Sequence, residues 1–184
     1  DGAITDADKR VIGDTNPDFT YGITNSLRYK KITLSFFFQG TYGNDILNAN
    51  TIANNTSSSM TGIQNITRAQ YTGRWTAATA APARWPKPIE AGNKREWKFS
   101  DRYIEDGSYL RLKNISLGYT YYPKWKGIKT ISVYASAQHL NTITNYSWYD
   151  PDVNAYGSDV TRQGVDLYSY PSSRIYSFGL KLTF

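Results

Sequence analysis

The chain contains no cysteine, which removes disulfides, thiol nucleophiles and cysteine-based zinc sites together. That absence does not fix a compartment, because an oxidising space permits disulfides without requiring them. There is one histidine, His139, and a lone imidazole is far more often structural than a base or a ligand. No G-x-S-x-G element, no carboxylate pair flanking a cleft and no glycine-rich phosphate loop occurs, so no catalytic set is read and no enzyme is expected. Purely apolar runs never exceed four residues, which excludes a transmembrane helix. A membrane stays open, since a barrel strand crosses in about 9–11 residues with apolar side chains only at every second position. Charged residues make up 20% of the chain, and the net charge of +6 is scattered, with nothing denser than "NKR" or "YKK". With no helix-turn-helix, RRM or zinc pattern, nucleic acid is set aside.

Aromatics are abundant: 16 Tyr, 7 Phe and 5 Trp among 184 residues, in a background rich in Asn, Thr and Ser. Such a composition suits extended chain with one wet face better than a helical core. Five stretches alternate with period two. In "FTYGITNSLRY", Phe19, Tyr21, Ile23, Leu27 and Tyr29 share a face, and Lys30-Lys31 makes a tight turn into "ITLSFFFQGTY", where Ile32, Leu34, Phe36, Phe38 and Tyr42 do the same. This pair predicts a β-hairpin. "LKNISLGYTY" sets Ile115, Leu117, Tyr119 and Tyr121 against Asn114, Ser116, Gly118 and Thr120, then turns through Pro123 and Gly127. "ISVYASAQ" sets Ile131, Val133, Ala135 and Ala137 against Ser132, Tyr134, Ser136 and Gln138. "RIYSFGLKLTF" closes the chain with Tyr176, Phe178, Leu180, Leu182 and Phe184 on one side.

The connections are unequal. Two short turns carry Lys30, Lys31, Lys124, Lys126 and Lys129, whereas the other connections are long, about Gly43 to Ser108 and Asn141 to Ser173. Loops beyond about 15 residues are uncommon in compact soluble domains, and strict alternation of short and long puts every long loop at the same end. Tyrosines lie toward strand ends, where a ring keeps its body in hydrocarbon and its hydroxyl in the headgroups. The expected fold class is therefore all-β: an antiparallel up-and-down transmembrane β-barrel segment of about five strands with long extracellular loops. The expected organisation is an extracellular loop at 1–18, hairpins at 19–42 and 108–141, and extracellular loops at 43–107 and 142–172. A terminal strand follows at 173–184. The opposing reading is a soluble β-sandwich that binds carbohydrate through its tryptophans, which requires the apolar faces to pack against each other. The chain starts with Asp1 rather than Met and shows no signal peptide, so a fragment or a processed piece is expected.

Four motifs in order carry a family resemblance. "ITDADKRVIGDTNPDFTYGITNSLRYKKITLSFFFQGTYGNDILN" (Ile4 to Asn48), "DGSYLRLKNISLGYTYYP" (Asp106 to Pro123), "VYASAQHLNTITNYSWYDPDVN" (Val133 to Asn154) and "YPSSRIYSFGLKLTF" (Tyr170 to Phe184) resemble the closing part of SusC/RagA-type TonB-dependent outer-membrane transporters. Ala49 to Trp97 matches only loosely, and His139 stands where the family usually shows Asn. The resemblance implies the last strands of a 22-stranded barrel with a lumen plug that is absent from this chain. It also implies a cell outer-membrane location in a Gram-negative bacterium and partners that include a SusD-like lipoprotein and the TonB complex. The cargo would be a glycan or a peptide. By analogy Phe184 would present a C-terminal aromatic to the barrel-assembly machinery, and a place in the lower aromatic girdle is equally compatible.

Two candidate sites follow. "DGAITDAD" looks like the second half of a calcium loop, with Asp1, the Ala3 carbonyl, Thr5 and Asp8 as ligands and Gly2 as the turn. The alternative is an acidic turn on an outside loop; no motif requires a cofactor. Loop aromatics Trp75, Trp85, Trp97, Trp148, Tyr149 and Tyr156 could stack on sugar rings or anchor a partner, helped by Asp150, Asp152, Asn154 and Arg162. The alternative is that these rings form a small core between folded loops. Asp150-Pro151-Asp152 matches the family motif as a loop-shaping turn near the barrel mouth.

Overall fold

The computed structural model describes residues 5–55, 67–78, 83, 85, 100–159 and 161–184. Eight strands occur among them: β1 (Phe19–Tyr29), β2 (Ile32–Tyr42), β3 (Asp45–Asn48), β4 (Ile104–Asp106), β5 (Tyr109–Tyr121), β6 (Thr130–Thr144), β7 (Val165–Asp166) and β8 (Ile175–Thr183). Helices are short, chiefly α1 (Ala49–Asn55) and α2 (Arg68–Gly73). The chain divides into two compact units. A sheet unit comprises Asn16–Asn44, Asp106–Asp152 and Tyr170–Phe184; a loop unit comprises Asp1–Thr15, Asp45–Glu105 and Val153–Ser169.

The sheet unit is one five-stranded antiparallel sheet in the order β1-β2-β5-β6-β8. Chain neighbours are sheet neighbours throughout, the up-and-down layout that the alternating stretches predict. The β1–β2 turn is closed by Lys30 at φ 52°, because a two-residue hairpin needs a left-handed residue to match the right-handed twist of its strands. Register carries one face across the whole sheet. Leu27 pairs with Leu34, Leu34 with Leu117, Leu117 with Ala135 and Ala135 with Phe178. One position along, Ser26, Ser35, Ser116, Ser136 and Ser177 form the matching row on the opposite face.

The apolar face is left uncovered by the unit itself. Leu117 is 52% and Phe178 82% exposed, so the stacked second sheet that a sandwich requires is missing from this unit. Two glycines on the sheet have a packing reason. The Tyr134 ring lies where a Cβ on its cross-strand neighbour Gly179 would stand, and Tyr21 does the same to Gly40 while its hydroxyl donates to the Tyr109 carbonyl at 3.1 Å. Such rings fill the groove that a strand glycine opens.

β5 and β6 are both longer than their alternating stretches, and a bulge explains why. Phe37 and Phe38 of β2 pair with Asn114 and Leu112, leaving Lys113 as an extra residue. On the other side, Leu112 faces Asn141 and Asn114 faces Gln138, so His139 and Leu140 oppose Lys113 alone. His139 takes φ 51° there, a conformation that Asn, Asp and His tolerate better than other residues. The extra residue inverts the alternation beyond it. Leu112 aligns with outward Phe38, and Arg111 aligns with Gln39 on the inner side.

The loop unit has its own interior, which period-two patterning does not reveal. β3 runs parallel to β7 through Leu47–Val165 and Asn48–Asp166, and β4 flanks β3 in a three-stranded sheet. Ile52, Trp85 and Tyr103 are buried together with Leu47 packed beside them.

Candidate functional site

Where the long connections leave and rejoin the sheet, one buried cation organises the chain. Arg111 follows the bulge inward from β5 and is 2% exposed. Its Nε donates to Thr142 Oγ1 of β6 at 3.0 Å, and its guanidinium pairs with the Asp150 carboxylate. The other terminal nitrogen reaches Asp152 at 3.4 Å and Ser172 Oγ at 3.5 Å. The Tyr109 ring lies 5.1 Å from the guanidinium carbon. A desolvated arginine is tolerated here because its fork meets several acceptors at once.

Asp150 is the second organiser. Its carboxylate accepts from the backbone N–H of Asp152 and of Ser172, both at 3.0 Å. Burial by itself would push the carboxyl up; the two N–H donors and the Arg111 guanidinium together outweigh it and hold Asp150 below the ordinary carboxylate value. Asp150 lies beyond the end of β6 and Ser172 just before β8, so the excursion between them is pinched at its base. The β2–β5 excursion is closed in the same way, with Gly43 N–H on Ser108 Oγ at 3.0 Å and Gly107 N–H on the Asn44 carbonyl at 2.8 Å.

The predicted contact residues divide sharply. Asp150 is spent on the Arg111 pair and has no carboxylate edge facing solvent, being 5% exposed. Tyr149 beside it is 74% exposed, with Trp148 edge-on at 5.2 Å between centroids, so the pair offers an aromatic platform. In the loop unit Trp75 is open at 38%, whereas Trp85 is 7% exposed and belongs to the interior. Tyr156 is exposed and lies under the Arg162 guanidinium at 5.0 Å. Trp97 lies outside the described residues. Phe184 is 71% exposed beyond the end of β8.

Of the candidate calcium ligands, Asp1 and Ala3 lie outside the described residues. Thr5 and Asp8 form a capping box around a single helical turn, Thr5 N–H donating to Asp8 Oδ2 at 2.7 Å and Ala7 N–H to Thr5 Oγ1 at 3.3 Å. Asp8 is thereby used to close a turn, and among the described residues no cluster of three or more acidic or histidine side chains could hold an ion. Sequence reasoning passed over Arg111. A strict count by twos from Ile115 places it on the apolar face, and only the bulge at Lys113 carries it inward.

Comparison with known proteins adds an independent line. No protein-family model matches the chain. Curated relatives include TonB-dependent receptor P3 of Formosa agariphila, 36% identical over all of this chain and 18% of its own length, and TonB-dependent receptor P26 of the same organism, 31% identical and matched over 19% of its length. TonB-dependent receptor SusC of Bacteroides thetaiotaomicron is 27% identical over the whole chain and 17% of its own length. The chain thus spans about a fifth of the relatives it matches. Among solved structures, the RagAB peptide importer in its closed-closed state superposes with a TM-score of 0.75 at 23% identity, covering 95% of this chain and 18% of that one. The similarity at that identity is one of fold.

Proposed function

Since this chain belongs to the TonB-dependent receptors of the SusC type, we propose that it forms consecutive wall strands of an outer-membrane nutrient importer, with its apolar row in lipid and its serine row toward the lumen. The observation that carries this reading is the uncovered band that keeps one phase through all five strands, from Leu27 to Phe178. An 11-residue strand such as β2 reaches about 36 Å, which at a tilt near 45° covers about 25 Å, the height of a barrel's apolar belt. In lipid every backbone polar group needs a partner, so a sheet of this kind is completed by closing on further strands.

In this reading the pinched excursions emerge at the extracellular mouth and the short turns face the periplasm. Tyr149, Trp148 and Trp75 are offered for contact with cargo or with a SusD-like lipoprotein, and Asp150 shapes the mouth through Arg111. Energy would come through the TonB complex, and Phe184 would serve barrel assembly. Cargo of glycan or peptide type suits a surface mixing aromatic faces with hydroxyl and amide groups. Calcium in the intact protein remains a proposal that rests on Asp1, Ala3, Thr5 and Asp8.

This chain contains no cysteine, so within it each introduced thiol is labelled alone once any cysteine elsewhere in the receptor has been replaced by Ser. Single cysteines at Phe36, Leu117 and Phe178, and at Ser35, Ser116 and Ser177, are spin-labelled in the full-length receptor reconstituted in bilayers. The first set should relax with oxygen and the second with a water-soluble nickel complex. Equal accessibility of both sets to nickel would overturn the membrane assignment.

A further inference from the structure

Carboxylates are distributed along this chain in a way that strand alternation does not demand. Residues 19–44, 107–149 and 167–184 contain no Asp or Glu, so the five strands of the sheet and both of its short turns have none. The acidic residues lie in the segments attached to the other end of the strands. The short turns instead hold Lys30, Lys31, Lys124, Lys126 and Lys129, all exposed, and among the described residues none of them pairs with a carboxylate.

The backbone gathers these cations along one edge. Thr120 N–H donates to the Lys31 carbonyl at 2.8 Å and Lys129 N–H to the Thr183 carbonyl at 2.7 Å, which aligns both turns with the end of β8. In the first turn the two heads are held at the border of the apolar band. The Lys30 ammonium lies 5.2 Å from the Tyr29 ring centroid and that of Lys31 5.1 Å from the Tyr121 ring centroid, and both rings belong to the outward face. Trp125, between two of the lysines, is 63% exposed, and Tyr122 is open beside it.

We propose that this edge is a docking surface for the headgroups of anionic phospholipids. The proposal rests on the reading of the sheet as a bilayer-spanning wall. Like charges strung along one rim repel each other unless a plane of opposite charge lies beside them, and each lysine near an anionic leaflet gains about 1 kcal/mol. The cations are spread over two separate turns at one edge of the sheet, so a layer of phosphates can meet all of them where a single small anion cannot. Interleaved Tyr and Trp rings at the same level match the depth where headgroups meet acyl chains, which an acidic protein surface would not require.

The test uses the full-length receptor in nanodiscs of phosphatidylcholine with and without phosphatidylglycerol, with retained lipid counted by native mass spectrometry. Replacing the five lysines by Gln should lower the retained phosphatidylglycerol relative to phosphatidylcholine by about tenfold or more. Replacing them by Arg should leave the preference unchanged, and inorganic phosphate should not displace the lipid. Unaltered preference in the Gln variant, loss in the Arg variant, or displacement by phosphate would each overturn the proposal. Heat-modifiable gel mobility separates the two readings. A wild-type receptor that stays out of the disc overturns the membrane assignment and this proposal with it. One that inserts and retains both lipids equally overturns this proposal alone.

Discussion

Truncating Asp150 to Ala is expected to open the base of the β6–β8 excursion while the sheet stays folded. Arg111, 2% exposed, would keep its charge but lose the one carboxylate that is buried with it; Asp152 at 3.4 Å is half open to solvent. Breaking a buried pair from one side costs about 3–5 kcal/mol, because the remaining charge stays desolvated. The Asp152 and Ser172 backbone N–H groups, each at 3.0 Å from the lost carboxylate, would also be orphaned, which favours the upper part of that range. Amide hydrogen exchange reads the local opening directly. Exchange at Ser172 should accelerate by about two to three orders of magnitude, given tenfold per 1.4 kcal/mol, while amides in β2 remain protected. A double variant, Arg111→Met with Asp150→Leu, should recover part of the lost global stability, since a buried ion pair is often replaceable by apolar groups of similar size, while the Ser172 amide, still without its carboxylate acceptor, should stay fast to exchange. A change below about fivefold in the folded Asp150→Ala receptor would show that the pair does not hold the loop base, and the reasoning would fail.

Two further outcomes follow from the same geometry. Because the Asp150 carboxyl is held below its ordinary value of 3.8, its contribution is fully present above that value and is lost as pH falls through the lowered one. Cleavage of residues 145–172 by an acid protease should therefore be flat down to about pH 4 and rise below it, and the Asp150→Asn receptor should show no such step. Gly179→Val should drive the Tyr134 ring from its place over the strand and cost about 1–3 kcal/mol as an overpacked site. A lowered midpoint of urea unfolding in detergent would report it, and adding Tyr134→Ala should restore the midpoint.

Much of the sheet is visible in the residues themselves. Alternation at Ile32, Leu34, Phe36 and Phe38, the tight Lys30-Lys31 turn and the breakers Pro123 and Gly127 specify strands, turns and facing, because side-chain direction in a strand follows from the local backbone. The loop unit is not visible in this way. β7 has two residues and β3 four, too few for a period, and their parallel pairing joins Leu47 to Val165 across most of the chain. Whether a loop aromatic is a platform or a core residue has no local signature either, and Trp85 and Tyr149 read alike until their neighbours are known.

By itself, then, the amino-acid order determined the all-β class and which side chains share a face, through backbone geometry acting between near neighbours, and the alternation of short and long connections pointed to the antiparallel meander. Tertiary structure decided where that local rule is broken. One extra residue at Lys113 turns Arg111 from the apolar side to the inner side, and a carboxylate 39 residues away meets it there. A bulge is defined by the partners of a strand and not by the strand's own sequence, and burial of a charge is settled only when distant groups arrive to replace its water.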